Sequence, residues 1–485
     1  MSVALISVTI LACIAVFVLQ DFPNSSDEYV AIYQAKTFLR GRLWNEPHPM
    51  RHFFAFYWIL SRNNKQFGMY LPGWPLLLTL ALTVKLPLFL VNPLLGTLSL
   101  FAVFLLGKRI YDEKTALLAV IIILLSSFFL INSASYFTHT PCSLFILLFV
   151  YFSICYMDGG KKHNALLSGI FWASAFMVRP YSALLSAIPI FVYFLPIMSR
   201  RPKGVLWFLV GMAPFALFLM FYNYKLMGNI FSFPFTSVPT NQRLYLSVSG
   251  IKNCYYYLRK FMLWTPPSLL IIYFVYLPGS IKKPRENIVS LFFVLFIVGY
   301  LFFPFNAGNQ YGPRYYYEAF PFLILFITSR LFRENVYFQK SKFSKFVFFL
   351  FVLGLLFNIP MVIMHLNEEK KVIWERTDLY RLVKKEGIKN AIVFLKTGTG
   401  TTRTFAPLDL TRNDPDYSND VLYAHYLYDR QNLKHASIKK ELINQTLMDY
   451  YPGRNYYLYT YDRDKRKGFL EQIGKVDNVD EKAKE

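Results

Sequence analysis

The chain reads as an all-α polytopic membrane bundle of about eleven spans, followed by a small C-terminal α/β domain. Three observations predict this. Of 485 residues, 55% are hydrophobic, 19% aromatic and only 17% charged, too apolar for a soluble globule. Apolar runs close to the roughly 20 residues that a bilayer core demands recur along the chain. The charge is also uneven. Residues 1–366 hold 30 Lys and Arg against 10 Asp and Glu, whereas residues 367–485 hold 22 against 19. That shift sets a domain boundary near residue 366: a membrane domain over 1–366, and a soluble extracytoplasmic domain over 367–485.

The first run, "VALISVTILACIAVFVL", has no basic residue before it and no small-residue cleavage site after it, so it reads as a retained helix. Expected spans cover 2–20, 88–107, 115–133, 142–157, 165–178, 181–198, 205–223, 262–278, 288–304, 317–332 and 345–366. With this count the Lys/Arg-rich loops "GKRIYDEK", "DGGKKHN", "SRRPKG", "SIKKPREN" and "SRLFRENVYFQKSKFSK" share one side, the cytoplasmic one by the positive-inside rule. The segment 21–87 is then the first extracytoplasmic loop. Within it, residues 75–87 read as a short interfacial helix with Lys85 snorkelling. Counting them as a span would turn every later basic loop outward.

In the tail, "NAIVFL" (390–395) and "NYYLYTY" (455–461) read as strands, with a helix over 433–451 between them. "KTGTG" lacks the Gly-Lys-Ser/Thr ending of a phosphate loop, and "YDRD" reads as solvated charge. Cys13, Cys142, Cys155 and Cys254 form no CxxC pair and read as packing residues. Nothing in the sequence points to nucleic acid.

Ten acids in 366 residues are few enough to weigh singly. Asp112, Glu113, Asp158, Glu286 and Glu334 fall in the basic loops and read as solvated or paired charges. Asp21, Asp27, Glu28, Glu46 and Glu318 face outward, and only Asp27 and Glu28 are adjacent. Ser25-x-x-Glu28 is a capping box, with Asp27 in a first turn where the helix dipole favours an anion. The helix runs on through Ile32, Ala35 and Leu39, and Gly41 can end it. Capping accounts for Glu28. It does not account for both scarce charges standing at the exit of the first span.

Other outward residues join them. Arg179 stands in "MVRPYS", Arg314 in "NQYGPRYYYEAFP" with Tyr316 and Glu318, and His139 in "YFTHTP". Singly, these read as a snorkelling arginine, a belt of tyrosines and a polar loop histidine. Together they gather ionisable groups at one mouth of a bundle, a functional-site signal in a membrane protein. The chemistry that suits them is transfer from a lipid-linked phosphate. A carboxylate deprotonates an acceptor hydroxyl, and arginines hold a phosphate leaving group.

At these residues the chain resembles integral-membrane glycosyltransferases of the GT-C fold. It resembles most the branch of bacterial protein O-mannosyltransferases and lipid A aminoarabinose transferases. Six patches carry the likeness, in order over residues 20–335: "SSDEYVAIYQAKTFLRGRLW", "MYLPGWPLLLTLAL", "YFTHTPCSLFILL", "FMVRPYSALLSAIP", "NYKLMGNIFSFPF" and "YGPRYYYEAFPFLIL". The resemblance implies a polyprenyl-phosphate sugar donor, an extracytoplasmic site in a bacterial cytoplasmic membrane, and inverting displacement. It makes Asp27 the general base, with Glu28 beside it in acceptor binding, and Arg314 and Arg179 the phosphate contacts. His139, Tyr316 and Glu318 join the substrate-binding set. His139 stands where aminoarabinose transferases place a second acid, which sets this chain apart from a two-acid or metal scheme; a divalent cation stays compatible with the chemistry. Tyr70-Leu71-Pro72 stands where those enzymes have Lys-Pro-Pro, so Tyr70 replaces a cation with a neutral donor. The acceptor is a lipid, a glycan or a protein. The rival readings are a lipid or solute transporter, a ligase or polymerase of lipid-linked glycans, and an inert anchor for the tail. Acids clustered at one end and the lack of repeated halves weigh against a transporter.

Overall fold

The computed structural model describes residues 2–198, 202–237, 245–279, 284–303, 308, 310–333, 342–396, 409–427, 442–462 and 464–474. In chain order the helices and strands are α1 (Ser2–Cys13), α2 (Ser26–Leu39), β1 (Ile59–Arg62), β2 (Lys65–Gly68), α3 (Gly73–Thr83), α4 (Val91–Ile110), α5 (Glu113–Leu124), α6 (Ser127–Ala134), α7 (His139–Gly159) and α8 (Lys162–Val178). There follow α9 (Pro180–Met198), α10 (Lys203–Met227), α11 (Val248–Trp264), α12 (Ser268–Tyr276), α13 (Pro284–Leu301), α14 (Phe320–Thr328) and α15 (Lys342–Arg376). The last elements are α16 (Asp378–Lys385), β3 (Ala391–Lys396), β4 (Val421–Tyr426), α17 (Leu442–Tyr450), β5 (Asn455–Asp462) and β6 (Lys467–Gly474). They fall into two compact units, residues 1–21 with 71–369 and residues 22–70 with 370–485.

In the first unit each expected span meets a helix. Four of the described helices are long and apolar enough to cross a membrane, or five if α5 and α6 form one broken span. Five further apolar helices are shorter. α3 has 11 residues, about 16 Å of rise at 1.5 Å per residue, half a bilayer core. It occupies the place of the expected short helix at 75–87. Small residues let the helices close on one another. A Cβ on Gly211 of α10 would stand 2.2 Å from the Leu166 carbonyl oxygen of α8, and one on Gly169 would stand 2.1 Å from the Phe208 carbonyl oxygen.

The bend between α5 and α6 is 70°. Irregular backbone among apolar helices must find polar partners. Asn358 of α15 donates to the Leu125 carbonyl at 2.8 Å. Ser126 and Ser127 each donate to the Trp264 carbonyl at 3.2 Å. His365 stacks on Trp264, 4.0 Å between centroids, and meets the Ser127 hydroxyl at 2.9 Å. The four cysteines are free.

The second unit is built on a four-stranded sheet of order β4-β3-β5-β6, parallel except for β6. β3 and β5 are the two strands expected from sequence. β4 and β6 went unpredicted, as did the β1–β2 hairpin. α17 is the C-terminal part of the expected helix at 433–451, whose residues 433–441 lie outside the described residues, as do 397–400 of "KTGTG" and Glu334. Both faces of β3 are covered. Ile392 and Phe394 pack with Phe53, Phe54, Leu422 and Leu447. Val393 and Leu395 pack on the other side with Leu379, Val383, Leu410 and Tyr459.

Phe53 and Phe54 belong to the loop that sequence assigned to the membrane domain. Its backbone also joins the sheet's surroundings: His425 N–H donates to the Phe53 carbonyl at 2.7 Å, and Thr411 Oγ1 to the Ala55 carbonyl at 2.8 Å. Residues 22–70 therefore share a core with the tail. His48 lies in the same core, its ring set against Phe54, Tyr417, Tyr450 and Tyr451. Its Nδ1 accepts from Met50 N–H at 2.9 Å, so Nε2 carries the proton and faces the Tyr451 hydroxyl at 2.8 Å.

Burial pushes the His48 imidazole from its ordinary 6.5 down to about 4. A folded-state value below the unfolded one means that the unfolded chain binds more protons between the two. The stabilisation is complete above pH 6.5 and is lost as the pH falls toward 4. Thermal unfolding of the purified protein in detergent should show a transition of the second unit that drops over this window. His48→Gln, which can still accept from Met50 and donate to Tyr451, should flatten the drop.

Candidate active site

The acidic pair opens α2. Ser25 Oγ accepts from Glu28 N–H at 3.3 Å, and Glu28 Oε2 accepts from Ser25 N–H at 2.8 Å, the capping box that the spacing predicts. Glu28 is 1% exposed, so its carboxylate serves the cap. Asp27, one residue earlier, is half-buried and points elsewhere: the Tyr70 hydroxyl donates to its Oδ1 at 2.5 Å. Gly41 ends the helix with φ +69°.

Two stripes of α2 are held. Along one, Ser26 Oγ donates to Asp409 at 2.5 Å and the Tyr29 hydroxyl to the Asn413 carbonyl at 2.7 Å. Lys36 pairs with Asp414, and Arg40 with Asp416 at 2.9 Å. These positions follow helical spacing. Along the other stripe stand Asp27, Val30 and Gln34. Gln34 Oε1 accepts from Gly68 N–H at 2.8 Å, and a Cβ on Gly68 would stand 2.9 Å from Val30 Cγ1. The hairpin that leads to Tyr70 thus lies against the helix that carries Asp27.

The first unit holds the rest of the expected set. Glu318, fully buried, joins two of its members. Its Oε1 lies 2.9 Å from Arg179 Nε and 3.1 Å from His139 Nδ1. Arg179 follows α8 and donates from Nη1 to Thr138 Oγ1 at 3.2 Å, while 20% of its side chain stays exposed. Its guanidinium lies 5.8 Å from the Tyr315 ring centroid. Arg314 lies over the Phe137 ring at 4.2 Å. The turn that places it needs glycine: Gly312 has φ +91°, and a Cβ there would stand 2.8 Å from the Phe128 ring. Tyr316 is wholly buried among Tyr257, Phe293 and Tyr300, with its hydroxyl on Cys254 Sγ at 3.6 Å.

Thus the structure joins Asp27 with Tyr70, and Arg179 with His139 and Glu318. Tyr316 belongs to a ring cluster. Thr138 was missed, since a threonine beside a histidine carries no signal of its own. Sequence did not reveal an apolar cavity of about 230 Å³ either, bounded by α8, α10 and residues 230–233. Trp172, Met177, Phe215 and Asn223 line it, and Met177 stands two residues before Arg179. Among the described residues no group of three or more His, Cys, Asp and Glu side chains could hold a metal ion.

Residues 70–222, about a third of the chain, match the family described as dolichyl-phosphate-mannose-protein mannosyltransferase. No curated protein matches the chain. Among solved structures, ArnT from Cupriavidus metallidurans bound to undecaprenyl phosphate is similar over 95% of this chain and 93% of its own, at 10% identity and a TM-score of 0.55. The oligosaccharyltransferase of Archaeoglobus fulgidus in its apo form is similar over 76% of this chain at 12% identity and a TM-score of 0.47; the chain spans 56% of its length. The ArnT likeness shows a shared fold along nearly the whole chain, and the family model covers residues 70–222 of it.

The buried pair gives a stability test. Glu318→Leu strands the Arg179 guanidinium and should cost about 3 kcal/mol, the low end for breaking a buried pair because Arg179 is partly exposed. The double variant Glu318→Leu with Arg179→Met should recover most of that loss. Melting temperatures in detergent check the comparison, and equal losses would exclude a stranded charge as the cause.

Proposed function

We propose that the protein transfers a sugar from a polyprenyl-phosphate carrier to an acceptor on the outer face of a bacterial cytoplasmic membrane, with Asp27 as general base. The observation that carries this reading is the half-buried Asp27 carboxylate, set in the first turn of α2 by a cap that consumes its neighbour. The family match supports the carrier, because lipid-phosphate sugars are that family's donors by its own description. The apolar cavity beside the end of α8 suits part of an isoprenoid chain.

In the proposed reaction, the acceptor hydroxyl loses its proton to Asp27 as its oxygen attacks the anomeric carbon. The bond from that carbon to the phosphate oxygen breaks on the opposite side. Polyprenyl phosphate leaves with the electron pair, and the configuration inverts. Arg314 and Arg179 stabilise the charge that gathers on the departing phosphate. Glu318, with His139, holds Arg179 for that task. Glu28 fixes the turn that presents Asp27. The tail domain lies on the extracytoplasmic side with the site.

The assay uses proteoliposomes, with the lipid-linked sugar fraction of the native membrane as donor and native envelope extract as acceptor. Asp27→Asn should lower transfer by roughly 10²–10⁴-fold, the usual worth of a positioned base, with the melting temperature unchanged. Full retained activity would refute the base assignment.

Arg314→Ala should raise the donor KM by roughly 10-fold or more, as expected from losing a charged hydrogen bond, and leave the acceptor KM near its original value. An unchanged donor dependence would remove Arg314 from the phosphate site.

A further inference from the structure

We propose that Tyr70 is a positioning residue for the Asp27 carboxylate and takes no part in holding phosphate. This rests on the reading of Asp27 as the base and extends it to the group that aims it. The resemblance alone would make Tyr70 a neutral stand-in for a phosphate-binding lysine. The geometry points to a different task.

Tyr70 Oη lies 2.5 Å from Asp27 Oδ1, at the short end for a hydroxyl bound to a carboxylate. Such a bond needs two side chains whose backbones keep their spacing, and both are fixed to the same helix. Asp27 rides on α2, capped one residue away by Ser25 and Glu28. Tyr70 leaves the β1–β2 hairpin, where Met69 N–H donates to the Trp58 carbonyl at 2.9 Å. The hairpin is tied to α2 by the Gln34 amide at Gly68 and by the close approach of Gly68 to Val30. Asp27, Val30 and Gln34 follow one another at helical spacing, so base, packing contact and tie form one line. A residue meant to reach a mobile phosphate needs no such anchoring to the base's own helix.

A phenol on one carboxylate oxygen fixes the carboxyl plane, so that the acid meets the acceptor hydroxyl from a set direction, which is where positioned groups gain rate. It does so without bringing a charge of its own to the site.

Kinetics separate the two roles in the proteoliposome assay described above, using the same native donor and acceptor fractions. Tyr70→Phe should lower kcat by roughly 10–100-fold, the span expected for one charged hydrogen bond, with the donor KM within about twofold of the original. Tyr70→His, which keeps a ring donor, should recover part of kcat. In an Asp27→Glu background, whose carboxylate is displaced by one methylene, adding Tyr70→Phe should cost less than about twofold, since coupled groups are not additive. A donor KM raised fivefold or more by Tyr70→Phe, or an equal loss in both backgrounds, would overturn the positioning role and restore the phosphate role. Tyr70→Phe with unaltered kinetics would overturn it while Asp27→Asn stayed inactive, leaving the base assignment intact. An active Asp27→Asn would remove both.

Discussion

The candidate base depends on one constraint: α2 is fastened along its length to chain nearly four hundred residues away. Ser26 reaches Asp409, Tyr29 reaches the Asn413 carbonyl, and Lys36 and Arg40 reach Asp414 and Asp416. The two exposed ion pairs contribute little singly. The buried serine–carboxylate bond and the aromatic packing around Phe53 and Phe54 contribute more, because they lie away from water. A 14-residue amphipathic helix in isolation would be marginal. Here the rest of its unit supplies the stability, and the orientation of Asp27 comes with it.

This arrangement gives the C-terminal region a structural task. β3, buried on both faces, is the centre of its unit, and one of those faces is completed by residues that arrive before the second expected span. The tail and the first long loop form one folding unit from two distant stretches of chain. Such a unit cannot close until residue 422 and beyond exist to cover Phe53 and Phe54. Loop closure over that separation adds entropy cost only logarithmically, so the long detour through the membrane helices is tolerable.

Much of the fold was legible because its signals are local. The apolar runs mark helices, Ser25 and Glu28 mark a start, and Gly41 marks a stop. β3 and β5 show as short apolar runs. What could not be read is long-range pairing. Nothing within residues 22–70 announces that Phe53 covers a strand at 391–396, so composition drew the boundary at 366 and gave the loop to the membrane. β6, "KGFLEQIG", escapes for another reason: it is an edge strand, mostly exposed, and its charged positions carry no strand pattern. The site residues divide along the same line. The spacing of Asp27 and Glu28 declares a cap, whereas the meeting of Arg179, His139 and Glu318 joins residues up to 179 apart, which only the tertiary fold brings together.

The two carboxylates at the centre of these clusters differ in their surroundings. Glu318 has no exposed surface and lies against a guanidinium on one side and an imidazole on the other. Its carboxylate pairs with Arg179, so protonating it would take the counter-charge from that guanidinium. Such a group holds geometry. Asp27 is half-buried, meets a neutral phenol, and has a neighbour that has taken over the duty of capping the helix. In a stretch of chain with so few acids, Glu28 closes the cap of α2 and Glu318 meets an arginine, while Asp27 stands half-buried beside a phenol in the same first turn.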